Sequence, residues 1–132
     1  MTRQRVLTAA VLAPIAIAAV LWLPTPLLAA LVAVAFLAGL WEWTRLAGLD
    51  GTLRRIAYLT VNAAMMAALA WSARPGLFPF QLMVLVGVAW WLLACLWLRR
   101  FEALASPGPR ATSLKLAAGT LAVVPAWSAL VL

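Results

Sequence analysis

The stretch Ala38-Gly39-Leu40-Trp41-Glu42-Trp43-Thr44-Arg45-Leu46-Ala47-Gly48 is where a long apolar run first meets charge. It gathers a carboxylate, two indoles and a guanidinium within one or two helical turns. On a helix, Glu42 and Arg45 lie three apart, share a face and can pair. Indole rings suit the zone between lipid tail and water. The stretch reads as the cytoplasmic end of a membrane helix, and the rest of the chain is oriented from it.

Composition supports that reading. Of 132 residues, 67% are hydrophobic and only 10% charged, whereas a soluble domain carries about 25% charged residues. Several apolar runs approach the roughly 20 residues that a bilayer core requires. The fold class expected is all-α: one polytopic transmembrane helical bundle over residues 1–132, with about five membrane helices at 6–23, 27–44, 56–73, 80–98 and 116–132. The basic start with Arg3 and Arg5 imitates a secretory signal, and Leu28-Ala29-Ala30 supplies small residues. The first run is too long for a signal's apolar region of about 7–15 residues, and a second run follows at once, so cleavage is not expected. Pro24-Thr25-Pro26 reads as a turn, because two prolines so close do not continue a helix.

The net charge of +7 comes from ten Lys and Arg against three acids. These basic residues fall between the apolar runs, which points to topology and not to nucleic acid. Through the successive loops they number two, zero, three, one and four. Loops rich in Lys and Arg stay cytoplasmic, so the N-terminus is expected inside. The single cysteine, Cys95, admits no intramolecular disulfide. The absence of histidine excludes a Ser-His-Asp triad, a His-ligated metal and a His proton relay within these residues.

Small residues recur at four-residue spacing at Ala9 and Ala13, Ala35 and Gly39, Ala63 and Ala67, and Ala118, Ala122 and Ala126. Such spacing lets helices approach closely in lipid, although alanine is also simply common here. Trp22, Trp41, Trp43, Trp71 and Trp97 fall near expected helix ends, as interface anchors do, while Trp90 and Trp91 fall mid-helix.

Glu42 is the only acid well inside an expected span. It lies about 22 Å along the helix from Leu27, roughly 8 Å short of the inner boundary of a core about 30 Å thick. A charge there pairs, snorkels or acts. Glu42 is thus either a structural ion pair with Arg45 or a proton or cation site. Arg54, Arg55, Arg99 and Arg100 gather on the cytoplasmic side, with Arg110 and Lys115. They serve either orientation and lipid attraction or the attraction of an anionic headgroup or nucleotide. Asp50 and Glu102 are too scattered to form a metal site, and Gly48-x-x-Gly51 lacks the lysine of a phosphate loop. No catalytic residue and no metal ligand is assigned.

Two segments carry a resemblance. Gln4-Arg5-Val6-Leu7-Thr8-Ala9-Ala10-Val11-Leu12-Ala13-Pro14-Ile15 resembles the N-terminal start of bacterial phosphatidate cytidylyltransferases, the CDP-diacylglycerol synthases. Gly39-Leu40-Trp41-Glu42-Trp43, with Arg45-Leu46-Ala47-Gly48, resembles that family's Trp-Glu-Trp stretch. Arg54-Arg55-Ile56-Ala57-Tyr58 and the run from Leu121 to Leu130, with Pro125-Ala126-Trp127, follow in the same order.

The resemblance implies an all-helical enzyme of the bacterial inner (cytoplasmic) membrane. That enzyme condenses CTP with phosphatidate, using Mg²⁺, to give CDP-diacylglycerol and pyrophosphate in phospholipid biosynthesis. The family's C-terminal hallmark, with its His-Gly-Gly segment and acidic end, is not in these residues. The chain is therefore expected to be the N-terminal half, inactive alone, with the catalytic half absent and no Mg²⁺ bound by its own residues. The partners implied are membrane lipids and phosphatidate, CTP through the missing half, and as an open possibility a second copy in a homodimer. Two other functions compete: a small proton-coupled transporter using Glu42, and a non-catalytic membrane subunit.

Overall fold

The computed structural model describes residues 2–72, 76–98 and 109–131, with side chains described for 6–72, 76–96 and 111–131. These residues form five α-helices: α1 (Thr2–Trp22), α2 (Thr25–Leu46), α3 (Thr52–Ser72), α4 (Phe78–Leu98) and α5 (Pro109–Val131). No strand occurs among the described residues. Three stretches are long and apolar enough to cross a membrane: Thr25–Leu46, Phe78–Leu96 and Ala111–Val131. A shorter apolar stretch, Val6–Trp22, accompanies them. The all-helical membrane architecture expected from composition is therefore present. The helix over the third expected span is the one whose composition does not reach that standard.

Helix boundaries differ from expectation where proline or glycine sets them. Thr25 and Pro26 belong to the first turn of α2, not to the turn before it. A proline is tolerated there because the first helical N–H groups have no partner within the helix. The Pro24 carbonyl accepts from the N–H groups of Leu27 and Leu28 at 2.9 and 3.0 Å. α5 begins at Pro109 rather than Leu116, again with proline at the first position, where its fixed φ suits a helix start. Lys115 therefore lies within a helix and not in a loop. Between α2 and α3 the chain reverses through Gly48 (φ 76°) and Gly51 (φ 88°), conformations that only glycine adopts at low cost.

Interhelical contacts fix the directions. Trp43 meets Lys115 and Trp127 meets Ala29, so α2 and α5 are antiparallel. α4 also runs against α5, since Gly87 meets Pro125 and Phe80 meets Trp127. Tyr58 bonds to Leu116 and Thr120. α5 is the hub, touching α2, α3 and α4.

The core is small and lies around α5. Met66, Phe80, Val124 and Trp127 form its buried cluster, flanked by Val32, Phe36 and Leu69. The Phe80 and Trp127 rings meet at 5.9 Å and 56°, a tilted geometry that aromatic quadrupoles favour. On α2 the buried residues are Leu40 and Thr44, one turn apart on one helical face, and Ala47 just past its end is buried as well. α1 contributes little: Val11, Ile15 and Trp22 are all exposed. The expected close-approach pair Ala35 and Gly39 is exposed, and a Cβ added to Gly39 would meet nothing within 4 Å.

The tight approach lies elsewhere. A Cβ on Gly87 would stand 2.5 Å from the Pro125 Cβ. That atom belongs to a rigid ring, so the helices would have to part. Overpacking costs about 1–3 kcal/mol, against at most about 1 kcal/mol gained from replacing glycine within a helix. Gly87→Ala should therefore lower the thermal unfolding midpoint in detergent micelles, whereas Gly39→Ala should leave it unchanged or raise it.

Candidate functional site

Polar side chains meet where the end of α2, the start of α3 and the first half of α5 come together. Spacing explains which ones. Leu40 and Thr44 turn one face of α2 inward, and Trp43 stands beside Thr44. Tyr58 and Asn62 lie four apart on α3 and so share its inner face. Opposite them, α5 presents Lys115, Leu116, Gly119 and Thr120.

The bonds form a directed network. The Trp43 indole Nε1–H donates to the Lys115 carbonyl at 2.8 Å. The Tyr58 hydroxyl donates to the Leu116 carbonyl at 2.9 Å. That uses its one proton, so in the 3.1 Å contact between Tyr58 and Thr120 the threonine hydroxyl is the donor. Thr44 Oγ1 donates to the Trp41 carbonyl at 2.6 Å. Gly119 makes this approach possible: a Cβ there would lie 2.6 Å from Trp43 Nε1 and 3.0 Å from the Tyr58 hydroxyl. Asn62 is fully buried. Its Nδ2 donates to the Tyr58 carbonyl at 2.9 Å, while its Oδ1 has no hydrogen-bond partner among the described residues.

The charged residues singled out by sequence lie at the periphery of this network. Arg45 Nη1 stands 3.9 Å from Glu42 Oε2, with the two side chains 61% and 68% exposed. At that length and exposure the contact is a loose pair. Arg54 is exposed on the first turn of α3. Arg55 is half-buried, and its Nε donates to the Leu49 carbonyl at 2.8 Å, so it pins the α2–α3 connection to α3. The structure thus brings Arg45, Arg54 and Arg55 to the α2–α3 junction. Arg99 and Arg100 lie outside the described residues. No group of three His, Cys, Asp or Glu side chains that could hold a metal ion occurs among the described residues.

Sequence reasoning missed Tyr58, Asn62 and Thr120. The available signal was polarity inside apolar runs, since polar groups in such positions face the bundle interior. Attention to formal charge alone passed over them. Trp43, read as an interface anchor, also donates across to α5.

A model of the cytidylyltransferase family matches residues 3–132. The chain is 33% identical over 133 aligned positions to the phosphatidate cytidylyltransferase of Pseudomonas aeruginosa. That alignment covers 100% of the chain and 47% of the relative, so the chain spans about half the length of the curated relative it matches. No solved structure matches it.

The network makes two opposite predictions for adjacent turns of α3. Tyr58→Phe removes the donor to Leu116 and should destabilise by about 1 kcal/mol, the net value of a typical hydrogen bond. Asn62→Leu removes one such bond but also an unpaired buried oxygen, whose desolvation costs about 1–3 kcal/mol. Thermal unfolding in micelles should show a lower midpoint for the first variant and an unchanged or higher one for the second.

Proposed function

Because the chain belongs to the cytidylyltransferase family, we propose that it forms membrane-embedded scaffold for an enzyme that makes CDP-diacylglycerol from CTP and phosphatidate. In that reaction a phosphatidate phosphate oxygen attacks the α-phosphorus of CTP. The bond from that phosphorus to the bridging oxygen breaks, and pyrophosphate leaves. The observation that carries the reading is the family match over residues 3–132, on a chain with three helices fit to cross a membrane. The host membrane is the cytoplasmic membrane of a bacterium, with the α2–α3 junction on the cytoplasmic side, where positive loops are retained.

These residues contribute location and field, not bond-breaking. The helices give a lipid substrate lateral access from the bilayer. Arg45 and Arg54 hold exposed guanidinium groups at the α2–α3 junction. Guanidinium matches phosphate geometry, and a basic rim raises the local concentration of anions. The described residues do not fit Mg²⁺. Glu42 is paired with Arg45, Asp50 is exposed in the α2–α3 connection, and no cluster of metal-ligating side chains accompanies them among the described residues. Activation of the α-phosphorus is therefore assigned to residues other than these.

The test joins this chain to the portion of the Pseudomonas aeruginosa enzyme that lies beyond the match. The chimera should release pyrophosphate only when both CTP and phosphatidate are supplied in mixed micelles. Arg54→Gln should raise the apparent KM for phosphatidate by about fivefold at low ionic strength, given about 1 kcal/mol for each basic residue near an anionic surface. That increase should shrink with added salt, and kcat should be unchanged. A folded, membrane-inserted chimera that releases no pyrophosphate would sink the proposal.

A further inference from the structure

A groove of about 360 Å³ runs between α4 and α5. Its α4 wall is Val84, Gly87, Val88, Trp91, Leu92 and Cys95. These fall at helical spacings of three and four, so they form one stripe along a single face. From Val84 to Cys95 the stripe extends about 16 Å along the helix. On α5 the wall is Pro125, Ala126 and Ala129.

The floor and the rim differ. Gly87 and Pro125, in contact, are buried and form the floor. Val88, Trp91 and Leu92 stand at the rim, 52%, 59% and 65% exposed. The small Ala126 and Ala129 leave the α5 side shallow. No lining residue carries a charge, and the only polar side-chain groups among them are the Trp91 indole N–H and the Cys95 thiol.

We propose that this groove holds one acyl chain of a bilayer phospholipid. Both walls lie in stretches long and apolar enough to cross a membrane, and the rim residues are exposed. The groove lies lengthwise on α4, which is the direction that lipid tails take beside a spanning helix. Its volume lies within the range of small-molecule sites, about 300–1,000 Å³. An apolar groove of this size suits a flexible alkyl chain, and its lining carries no charged side chain to hold a headgroup. The occupant follows from membrane insertion alone and does not rest on the enzymatic reading above.

The test uses the whole chain in vesicles of phosphatidylethanolamine and phosphatidylglycerol. The vesicles are doped with phosphatidylethanolamine that carries a diazirine midway along one acyl chain. After irradiation, adducts are mapped by peptide mass spectrometry. Adducts should concentrate on Val88, Trp91, Leu92 and Ala129 over Leu85 and Leu96, which are equally exposed on α4 but do not line the groove. Ala129→Leu and, separately, Ala126→Leu fill the trough and should reduce rim labelling to the level of Leu85, with helical circular dichroism unchanged. Equal labelling around α4 would overturn the proposal, as would a groove protected while Leu85 labels. Labelling by a phosphatidate probe but not by the phosphatidylethanolamine probe would also overturn it, because the groove would then select a headgroup.

Discussion

The side chains of Trp43, Tyr58 and Trp127 each donate from one helix to a backbone carbonyl of another. Trp43 reaches Lys115, Tyr58 reaches Leu116 and Trp127 reaches Ala29. The pairs are 72, 58 and 98 residues apart in sequence. A helical carbonyl has a second lone pair after accepting its own i+4 bond. In hydrocarbon an unpaired N–H or O–H has no water to turn to. These donors therefore have strong reason to find protein acceptors, and backbone carbonyls are the acceptors that a nearly uncharged helix surface offers. Two of the bonds tie α2 to α5 near opposite ends of both helices, which fixes their antiparallel register. The third draws α3 onto the same part of α5. Gly119 permits this convergence because it has no side chain at the point where Trp43 and Tyr58 both arrive.

Much of this was legible in the chain. Apolar runs and turn residues gave five helices at nearly the right places, because a bilayer constrains length and composition so strongly. Their partnering was not legible. Of the small residues at four-residue spacing, Ala35 and Gly39 are exposed, while Ala118, Ala122 and Ala126 on α5 are partly buried. The close approaches fall on Gly87 and Gly119, which have no small partner four residues away and meet proline, tryptophan and tyrosine instead. A spacing rule describes two similar helices pressed together. Here a missing side chain on one helix receives a bulky one from another, and only the three-dimensional register says which.

The charged residues show the reverse. Glu42 and Arg45 were conspicuous in sequence, but their contact is long and open. Arg55 was read with Arg54 as part of a basic field, yet its Nε is engaged with the Leu49 carbonyl. Two adjacent arginines therefore differ in what they offer an anion: Arg54 is a free-standing side chain on the first turn of α3, and Arg55 is partly committed to the connection that brings it there.

α3 shows why hydropathy alone undervalues part of the bundle. Its 21 residues reach about 32 Å, enough for a hydrocarbon core of about 30 Å. What keeps it from the standard that α2, α4 and α5 meet is its content of arginine, threonine and asparagine. Hydropathy counts each polar residue as if it faced lipid. Asn62 is fully buried, and Tyr58 is bonded to α5. Thr60, though exposed, donates to its own helix at the Ile56 carbonyl. A polar group inside the bundle or satisfied by its own backbone costs far less than one left bare in hydrocarbon. Tyr58 and Asn62 are therefore directed into the bundle, and α5 supplies the carbonyl and hydroxyl that Tyr58 meets.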